Sequence, residues 1–193
     1  MHRILFLLIL NIITSGAYAQ VKLLNASFEG DAQDATMPVN WFSCEPGSTP
    51  DILPGPWGVF TEASEGETFM GLISRDDGSI ESVGQRLAKP LESGECYSVK
   101  VDLAHSATYS SYNRPIQLRI WGCRTKCAKD QIIGESKVID QEDWETYEFK
   151  FTTKTEINYI ILEAYYLSSP GEPSPKGNIL IDNLSAIKPC SRA

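Results

Sequence analysis

Histidine is scarce in this chain. The sequence has two histidines, His2 and His105, and His2 lies in an N-terminal segment that we expect to be removed. A catalytic scheme that pairs a serine or cysteine nucleophile with a histidine base must therefore use His105. His105 follows the alternation of Val101 and Leu103 along one predicted strand. This position favours a packed, hydrogen-bonded role near the strand end over catalysis.

Motifs of several common protein classes are also missing. The chain contains no G-x-S-x-G elbow, no H-E-x-x-H pair, no G-x-x-x-x-G-K-S/T loop and no G-x-G-x-x-G loop. These absences count against hydrolase, metalloprotease and nucleotide-binding functions. Cys123 and Cys127 have the spacing of half a zinc site, but a zinc site needs three or four ligands. In an oxidising compartment, a disulfide is the simpler explanation for these cysteines.

Long apolar runs are confined to the N-terminus. Residues 1–19 comprise a basic start, an apolar stretch over residues 4–10 with a weaker continuation, and the A-x-A cleavage pattern at 17–19. This is the pattern of a secretory signal peptide, and the run is too short for a retained membrane span. We expect a mature protein of one domain over residues 20–193, without a transmembrane segment, exported to the periplasm or the extracellular space.

Basic residues are outnumbered by acidic ones. The whole chain has a formal net charge of −8, and removal of the predicted signal peptide takes away one basic residue, Arg3, which leaves −9. This balance disfavours nucleic acid and anionic membrane surfaces as partners. The length that remains is enough for one domain with a substantial hydrophobic core.

Five cysteines in an exported chain predict disulfide bonds, and the odd number leaves one cysteine unpaired. Sequence alone allows fifteen arrangements of two disulfides and one thiol. We favour a bond between Cys96 and Cys190, because each ends a predicted strand and the first and last elements of a sandwich are often neighbours. Cys123 and Cys127 could close a small loop and leave Cys44 free, or one of them could pair with Cys44.

Helical patterns, heptads, repeats and low-complexity tracts are absent as well. Short alternating segments separated by Gly, Pro, Asp and Ser occur instead, and about eight to ten such strands are typical of an all-β sandwich or barrel. The segments read as strands are 57–63, 67–74, 79–87 (stopped by Pro90), 96–105, 115–122, 144–152, 157–166 and 177–190.

The predicted closing strand, residues 177–190, is an apolar run with one carboxylate, Asp182, in its middle. A buried carboxylate must be paired, hydrogen-bonded or bound to a metal, because an isolated buried charge is costly. At the other end of the mature chain, Glu29 follows a segment with alternating apolar residues from Leu24 to Phe28, which predicts a strand. We expect these two strands to close one domain.

Four segments together resemble the galactose-binding-domain-like jelly rolls, a superfamily that includes many calcium-binding carbohydrate-binding modules. In chain order they are LLNASFEG with Pro38 and Trp41 after it, SVGQRLAKPLESGECYSVKVDLA, DWETYEFKFT and GNILIDNLSAI. Their order and spacing match over nearly the whole mature chain. The resemblance implies an all-β fold, a jelly-roll β-sandwich of two antiparallel sheets. It does not decide the function, since this sandwich hosts sugar binders, protein binders and accessories of catalytic domains.

In such modules, a structural calcium ion commonly ties the first strand to the last. The resemblance makes Glu29 and Asp182 the candidate Ca²⁺ ligands, and backbone carbonyls must complete the six to eight oxygens that this ion takes. The alternative is that Glu29 is solvated and that Asp182 caps a turn or accepts backbone N–H bonds.

Sugar binding uses exposed aromatic rings that stack on pyranose faces, beside polar side chains that bond to hydroxyl groups. The sequence offers two sets of candidates. One set lies in predicted loops and comprises Trp57, Tyr109, Tyr112 and Asn113. The other lies on predicted strands, with Arg119 and Trp121 on one strand face and Glu163 and Tyr165 on another.

The strand set lines one concave surface if its strands are neighbours in a sheet. Glu163 is the one acid in the predicted strand 157–166, which is otherwise apolar on both faces, and Arg119 is the ion-pair partner that we expect for it. Burial in the core is the alternative for Trp121 and Tyr165. For Trp41 and Trp144, burial is the expectation.

We therefore predict an exported, non-catalytic domain of the carbohydrate-binding kind, with a glycan as its partner. Two alternatives stay open. The same surface could contact another exported protein, which would make the chain a protein-interaction or envelope-associated structural module. Less favoured is a polysaccharide-active enzyme, a lyase that uses Arg119, His105 and a tyrosine.

A structural calcium ion at Glu29 and Asp182 predicts a melting temperature that falls when a chelator is added, because the ion stabilises the folded state only. Thermal melts with and without a chelator measure this. Equal melting temperatures would contradict the calcium site.

Overall fold

Twelve strands and one short 3₁₀ turn are present in the computed structural model, which describes residues 20–167 and 173–191. The predicted signal peptide, residues 1–19, lies outside this range. The strands are β1 (Phe42–Ser43), β2 (Asp51–Leu53), β3 (Phe69–Ser74), β4 (Ser82–Leu91), β5 (Cys96–Ala104), β6 (Arg114–Pro115), β7 (Gln117–Cys123), β8 (Gln131–Glu135), β9 (Glu145–Thr152), β10 (Ile157–Tyr165), β11 (Gly177–Asp182) and β12 (Lys188–Pro189), and the turn is Pro56–Gly58.

The strands form two sheets. The five-stranded sheet has the order β1-β4-β10-β7-β8, and the seven-stranded sheet has the order β12-β5-β11-β3-β2, with β9 beside β5 and β6 beside β11. Neighbouring strands are antiparallel except for the short β6–β11 pair. This arrangement confirms the all-β sandwich predicted from the sequence.

The main core fills the space between the sheets. The predicted alternation of β5 holds, since Val99, Val101 and Leu103 are buried in this core. On β10, Ile160 and Leu162 belong to the same core. Because side chains alternate along a strand, the residues between these positions lie on the outer faces of the sheets.

A second apolar cluster covers the outer face of the seven-stranded sheet. It includes Phe69 and Ile73 of β3 and Leu180 of β11, which alternate with residues of the main core. Tyr109 and Val59, from two loops, pack onto them. The middle of this sheet is therefore buried on both faces, which explains why β11 reads as a continuous apolar run.

The predicted first strand is wrong. The chain turns at this point, Asn25 and Phe28 have φ of 47° and 55°, and Leu24 is 57% exposed. The Asn25 side chain accepts a hydrogen bond from the Glu29 N–H at 2.8 Å and donates to the Glu29 carbonyl at 3.0 Å, which fixes the turn. The two ends of the described chain still meet, because Val21 pairs with Ile187.

Three other strand predictions need correction. Residues 57–63 form no strand, because Trp57 and Gly58 belong to the 3₁₀ turn and residues 59–63 follow it as a loop. The predicted closing strand is two short strands, β11 and β12, because Asn183 takes φ 48° directly after β11. Strand β4 also continues through Pro90, which the sequence analysis takes as its end.

Two disulfides are present. Cys96 pairs with Cys190, with their Cα atoms 5.4 Å apart, which is the pairing favoured from the sequence. Cys44 pairs with Cys127 at a Cα separation of 5.2 Å. Cys123 remains a free, buried thiol.

Glu29 and Asp182 hold one and the same loop. The Asp182 Oδ2 atom accepts hydrogen bonds from the N–H groups of Ser64 at 2.8 Å and Glu65 at 2.9 Å. The Glu29 carboxylate accepts from the N–H of Glu67 at 3.1 Å. Glycine is favoured at position 66 between them, because φ there is 72°, a conformation that other residues rarely adopt, and a Cβ would lie 1.9 Å from Glu29 Oε1 unless that side chain moved.

These contacts show which hydrogen-bond donors face the carboxylates of Glu29 and Asp182. Backbone N–H groups point at both carboxylates, and this donor set fits anions held by amides rather than a cation held between the acids. Burial raises the pKa of Asp182 to about 6, although the N–H donors of Glu65, Asn183 and Ser64 act to lower it. Calcium stays a prediction, and the chelator comparison is its test.

No helix in the described part of the chain is long and apolar enough to cross a membrane.

The position of Asp182 predicts a structural role. We expect Asp182→Ala to lower the free energy of unfolding by about 3 kcal/mol, because it removes a fully buried carboxylate together with the hydrogen bonds that this group accepts from the N–H groups of Ser64 and Glu65. Urea denaturation measures the loss. Asp143→Ala is the matched control, since Asp143 is exposed, and we expect a change within about 0.5 kcal/mol. A larger effect of Asp182→Ala on ligand binding than on stability would contradict this role.

Candidate functional site

The strand set of candidate residues meets on the outer face of the five-stranded sheet. Strands β7 and β10 are neighbours, and their register places Arg119 opposite Glu163 and Trp121 opposite Ile161. Leu118 and Ile120 point into the core between them, so Arg119 and Trp121 point outward. We call Arg119, Trp121 and Tyr165 the aromatic–arginine surface.

Arg119 lies between two aromatic rings. Its guanidinium carbon is 3.3 Å from the ring centroid of Tyr165 and 5.5 Å from that of Trp121. The guanidinium also forms an ion pair with Glu135 of β8 at 2.7 Å. All three members of the surface are half-buried, so the stack holds the arginine in place and leaves part of each ring exposed.

Glu163 does not pair with Arg119, and that expectation is corrected. Glu163 is buried, and its carboxylate accepts a hydrogen bond from the Trp121 indole N–H at 3.0 Å. Its other oxygen forms an ion pair with Lys129, which also pairs with Glu45. Arg119 is instead neutralised by Glu135, because β8 lies beside β7 and places Glu135 opposite Arg119.

Residues 124–130 form a loop that we call the clamped loop, because the disulfide from Cys127 to Cys44 ties it to the segment after β1. Cys127 and Lys129 have φ of 60° and 51°. Ile161 of β10 points outward from the sheet, and its side chain is nevertheless fully buried. The middle of this outer face is therefore covered, and the aromatic–arginine surface lies beside the cover.

Lys129 carries a charge that the two acids stabilise. Burial acts to lower the pKa of Lys129, but hydrogen bonds and charge interactions with Glu163 and Glu45 outweigh it, and the pKa is raised. The lysine therefore stays protonated and links the clamped loop to β10.

Gly84 of β4 accommodates the cover on its other side. A Cβ at Gly84 would lie 2.7 Å from the Phe42 ring and 3.0 Å from the Cys44 sulfur. Phe42 and Cys44 thus lie directly on the strand next to Ile161, which pairs with Gly84. Any larger residue at this position would displace the segment that carries the disulfide.

The loop set of candidates lies on the other side of the sandwich. Trp57 is 43% exposed, and its ring meets Tyr112 edge to face with centroids 6.3 Å apart. Tyr112 packs against the second apolar cluster, on the outer face of the seven-stranded sheet, and Asn113 is exposed next to it. The structure therefore does not join this set to the aromatic–arginine surface.

Tyr109 needs a correction. It was expected to present its ring from a loop, but it is only 1% exposed and belongs to the second apolar cluster. Its hydroxyl donates to the carboxylate of Asp51, which is also buried. Burial raises the pKa of Asp51, and the hydrogen bond from Tyr109 opposes that rise. Tyr109 is thus a core residue that carries its polar atom to a buried partner.

His105 has the packed role predicted for it. It is buried at the end of β5, and its Nε2 atom lies 3.0 Å from the Asn113 carbonyl oxygen. Its backbone N–H donates to the Gln141 carbonyl at 2.9 Å. Trp41 is buried as expected, whereas Trp144 is half-buried and donates its indole N–H to the Glu62 carbonyl.

Sequence reasoning missed three charged residues of the site, Lys129, Glu135 and Glu45. Glu135 ends β8, a strand that the alternation analysis did not identify. Lys129 follows Cys127 by two residues, so the disulfide to Cys44 was the signal that could have placed it near Glu45. The sequence left that pairing open. In residues 20–167 and 173–191, no group of three or more His, Cys, Asp or Glu side chains could hold a metal ion.

Comparison with solved structures shows the same fold in proteins of several kinds. The chain is similar to a cyclase from Fischerella sp. TAU (14% identity, 90% of this chain and 99% of that chain, TM-score 0.59). It is also similar to the CBM22-1 xylan-binding domain of Paenibacillus barcinonensis (15%, 87% and 94%, 0.51) and to the K3 cleaved adhesin domain of Lys-gingipain from Porphyromonas gingivalis (12%, 86% and 98%, 0.53).

At these identities the similarity concerns the fold. It confirms the predicted jelly-roll β-sandwich, and carbohydrate-binding modules and adhesin domains recur among the neighbours that share this fold. No protein-family model and no curated protein matches the chain.

The position of the clamped loop leads to a prediction about the rate at which the Cys123 thiol reacts. The Cys123 thiol is fully buried, and backbone N–H groups of residues 128–130 act on its pKa, so this loop lies over it. In the double variant Cys44→Ala/Cys127→Ala, we expect a disulfide-exchanging reagent to label Cys123 at least about tenfold faster than in the wild type, because opening the loop becomes easier.

The Cys96→Ala/Cys190→Ala variant is the matched control, with those two thiols absent and the clamp intact. We expect its labelling rate at Cys123 to stay near the wild-type rate under conditions where both variants are folded. Equal rates in the two variants would contradict a cover that depends on the Cys44–Cys127 bond.

Proposed function

We propose that this chain is an exported carbohydrate-binding domain that acts without catalysis, and that glycan binds on the aromatic–arginine surface. The observation that carries the proposal is the fixed stack of Arg119 between Trp121 and Tyr165. A ring that is partly exposed and held rigid offers an apolar face to a pyranose at low entropic cost. The fold shared with carbohydrate-binding modules supports it.

The charges of the surface favour an uncharged, hydroxyl-rich ligand. Arg119 is neutralised by Glu135, and Lys129 by Glu163 and Glu45. Two cations and three carboxylates leave no positive excess that would attract a uronate or a sulfate group. The guanidinium N–H groups and the carboxylate oxygens can instead donate to and accept from sugar hydroxyls.

A catalytic alternative has less support. The lyase hypothesis needs His105 and Arg119 in one site, but His105 lies at the end of β5 in the seven-stranded sheet, whereas Arg119 lies on the outer face of the five-stranded sheet. His105 is also buried, with its Nε2 beside the Asn113 carbonyl. The cyclase neighbour shares the fold and transfers no residue roles to this chain.

Export is supported by the two disulfides, which form and persist in oxidising compartments. The predicted signal peptide at residues 1–19 agrees with this. A protein partner on the same surface remains the alternative that binding experiments separate from a glycan.

The proposal predicts that Arg119→Ala weakens glycan binding by about tenfold, because it removes the bidentate donor and releases both rings. Trp121→Ala should weaken it by at least as much. Affinity electrophoresis in gels that contain xylan, mixed-linkage β-glucan or galactomannan measures the change.

Arg114→Ala is the matched control, since Arg114 is exposed on β6 of the other sheet. We expect its migration to equal that of the wild type. Unchanged binding in both Arg119→Ala and Trp121→Ala would remove this surface from consideration. Capture of an exported protein that no glycan displaces would favour the protein-interaction alternative.

A further inference from the structure

A depression of about 430 Å³ lies beside the edge strand β2, away from the aromatic–arginine surface. Trp57 and Pro56 form its apolar side, and Gln33 and Asp34 lie on its polar side together with Ala32. Gln33 is anchored by two backbone hydrogen bonds to Ile52 of β2, both at 2.9 Å. The polar side is therefore attached to the sheet.

Trp57 holds an unusual backbone conformation. Its φ is 56° and its ψ is 14°, a left-handed conformation that bulky residues rarely adopt. Gly55 and Gly58, with φ of 116° and 78°, flank it and allow the chain to turn sharply on both sides. Strain of this kind persists where the surroundings fix it, and it concentrates at ligand-binding sites.

Backbone hydrogen bonds fix the turn around Trp57. The Trp57 carbonyl accepts from the Ser110 N–H at 2.9 Å, and the Thr108 hydroxyl donates to the Gly58 carbonyl at 2.8 Å. The ring itself meets the Tyr112 ring edge to face, with an interplanar angle of 89°. The indole is thus positioned before any ligand arrives.

We propose that this depression is a second glycan-binding site that takes an uncharged pyranose. The Trp57 indole stacks on the sugar ring, and the exposed side chains of Gln33 and Asp34 bond to its hydroxyl groups. No lysine or arginine lines the depression, and the carboxylate of Asp34 repels uronates and sulfates. The inference rests on the proposed function in one respect, that the ligand is a glycan.

The two proposed sites lie far enough apart on the molecule for each to bind its own glycan segment. The aromatic–arginine surface lies on the outer face of the five-stranded sheet, near β8, whereas the Trp57 depression lies beside β2 of the other sheet. β8 contacts β9, so the β8 edge lies over the side of the seven-stranded sheet away from β2. One molecule therefore binds two glycan segments at once and cross-links chains.

Calorimetric titration with xylohexaose, cellohexaose and mannohexaose tests the proposal through its stoichiometry. For the hexaose that binds, we expect two sites in the wild type and one site in Trp57→Ala. Phe60→Ala is the matched control, because Phe60 is 77% exposed in the same loop and does not line the depression. Two sites should remain in Phe60→Ala.

Two further variants show whether loss of the Trp57 binding site comes from backbone strain or from the charge of Asp34. Trp57→Gly suits the left-handed backbone, so it should lose the same site as Trp57→Ala while its melting temperature stays near that of the wild type. Asp34→Asn keeps a hydrogen-bonding group without the charge and should bind the hexaose within about twofold of the wild type. Loss of binding in Asp34→Asn together with binding of chitosan oligomers by the wild type would replace the uncharged sugar with a cationic ligand and overturn the proposal.

The two proposed sites fail in different ways. One site in the wild type that Trp121→Ala abolishes and Trp57→Ala leaves intact overturns the second site and keeps the first. One site that Trp57→Ala abolishes and Trp121→Ala leaves intact supports the Trp57 site and overturns the aromatic–arginine surface. No binding of any hexaose by the wild type overturns both.

Discussion

Two buried carboxylates on the outer face of the seven-stranded sheet, Asp182 and Asp102, hold the loop around Ser64 in place through hydrogen bonds. Asp182 accepts the N–H groups of Ser64 and Glu65, and Asp102 on the neighbouring strand accepts the Ser64 hydroxyl at 2.7 Å. Burial raises the pKa of Asp182 to about 6. Burial also acts to raise the pKa of Asp102, but hydrogen bonds from Thr146, Ser64 and Asn183 lower it. The loop that carries Trp57 ends at this anchor.

The cover on each sheet leaves only part of its outer face exposed. The clamped loop and its disulfide cover the middle of the five-stranded sheet, and the second apolar cluster covers much of the other. Partly exposed aromatic residues are left at the margins, Trp121 and Tyr165 on one side and Trp57 on the other. Both of these exposed aromatic positions have polar or charged neighbours, Arg119 and Glu135 in the first case and Gln33 and Asp34 in the second.

Alternation along the strands predicted much of the fold, and the loops account for what it missed. Strands β5, β7 and β9 were found because their side chains alternate between the core and the outer face, whereas β10 was recognised as a strand that is apolar on both faces. The segment around Leu24 has the same alternation but turns, because Asn25 bonds to the backbone of Glu29. The sequence predicted that Arg119, Trp121 and Glu163 share a surface if their strands are neighbours. It could not show that β7 and β10 pair, because alternation does not specify the partner of a strand.

The partner of Glu163 shows the limit most clearly. Lys129 lies in a loop between strands, and only the Cys44–Cys127 bond brings it over β10. Composition and spacing left fifteen cysteine arrangements open, so this contact could not be derived. Tyr109 is a similar case, since nothing in its loop sequence indicates that Asp51 lies underneath.

Cys127 can form a disulfide with either Cys123 or Cys44, and these two bonds compete while the chain folds. Cys123 and Cys127 are four positions apart, whereas Cys44 and Cys127 are separated by 83. The nearer pair meets more often in an unfolded chain, so oxidation before folding favours the bond that the finished molecule lacks. Exchange must then move Cys127 to Cys44. Once β7 and β10 pair and the loop closes, the buried Cys123 can no longer attack, and completion of the sheet makes the choice of partner permanent.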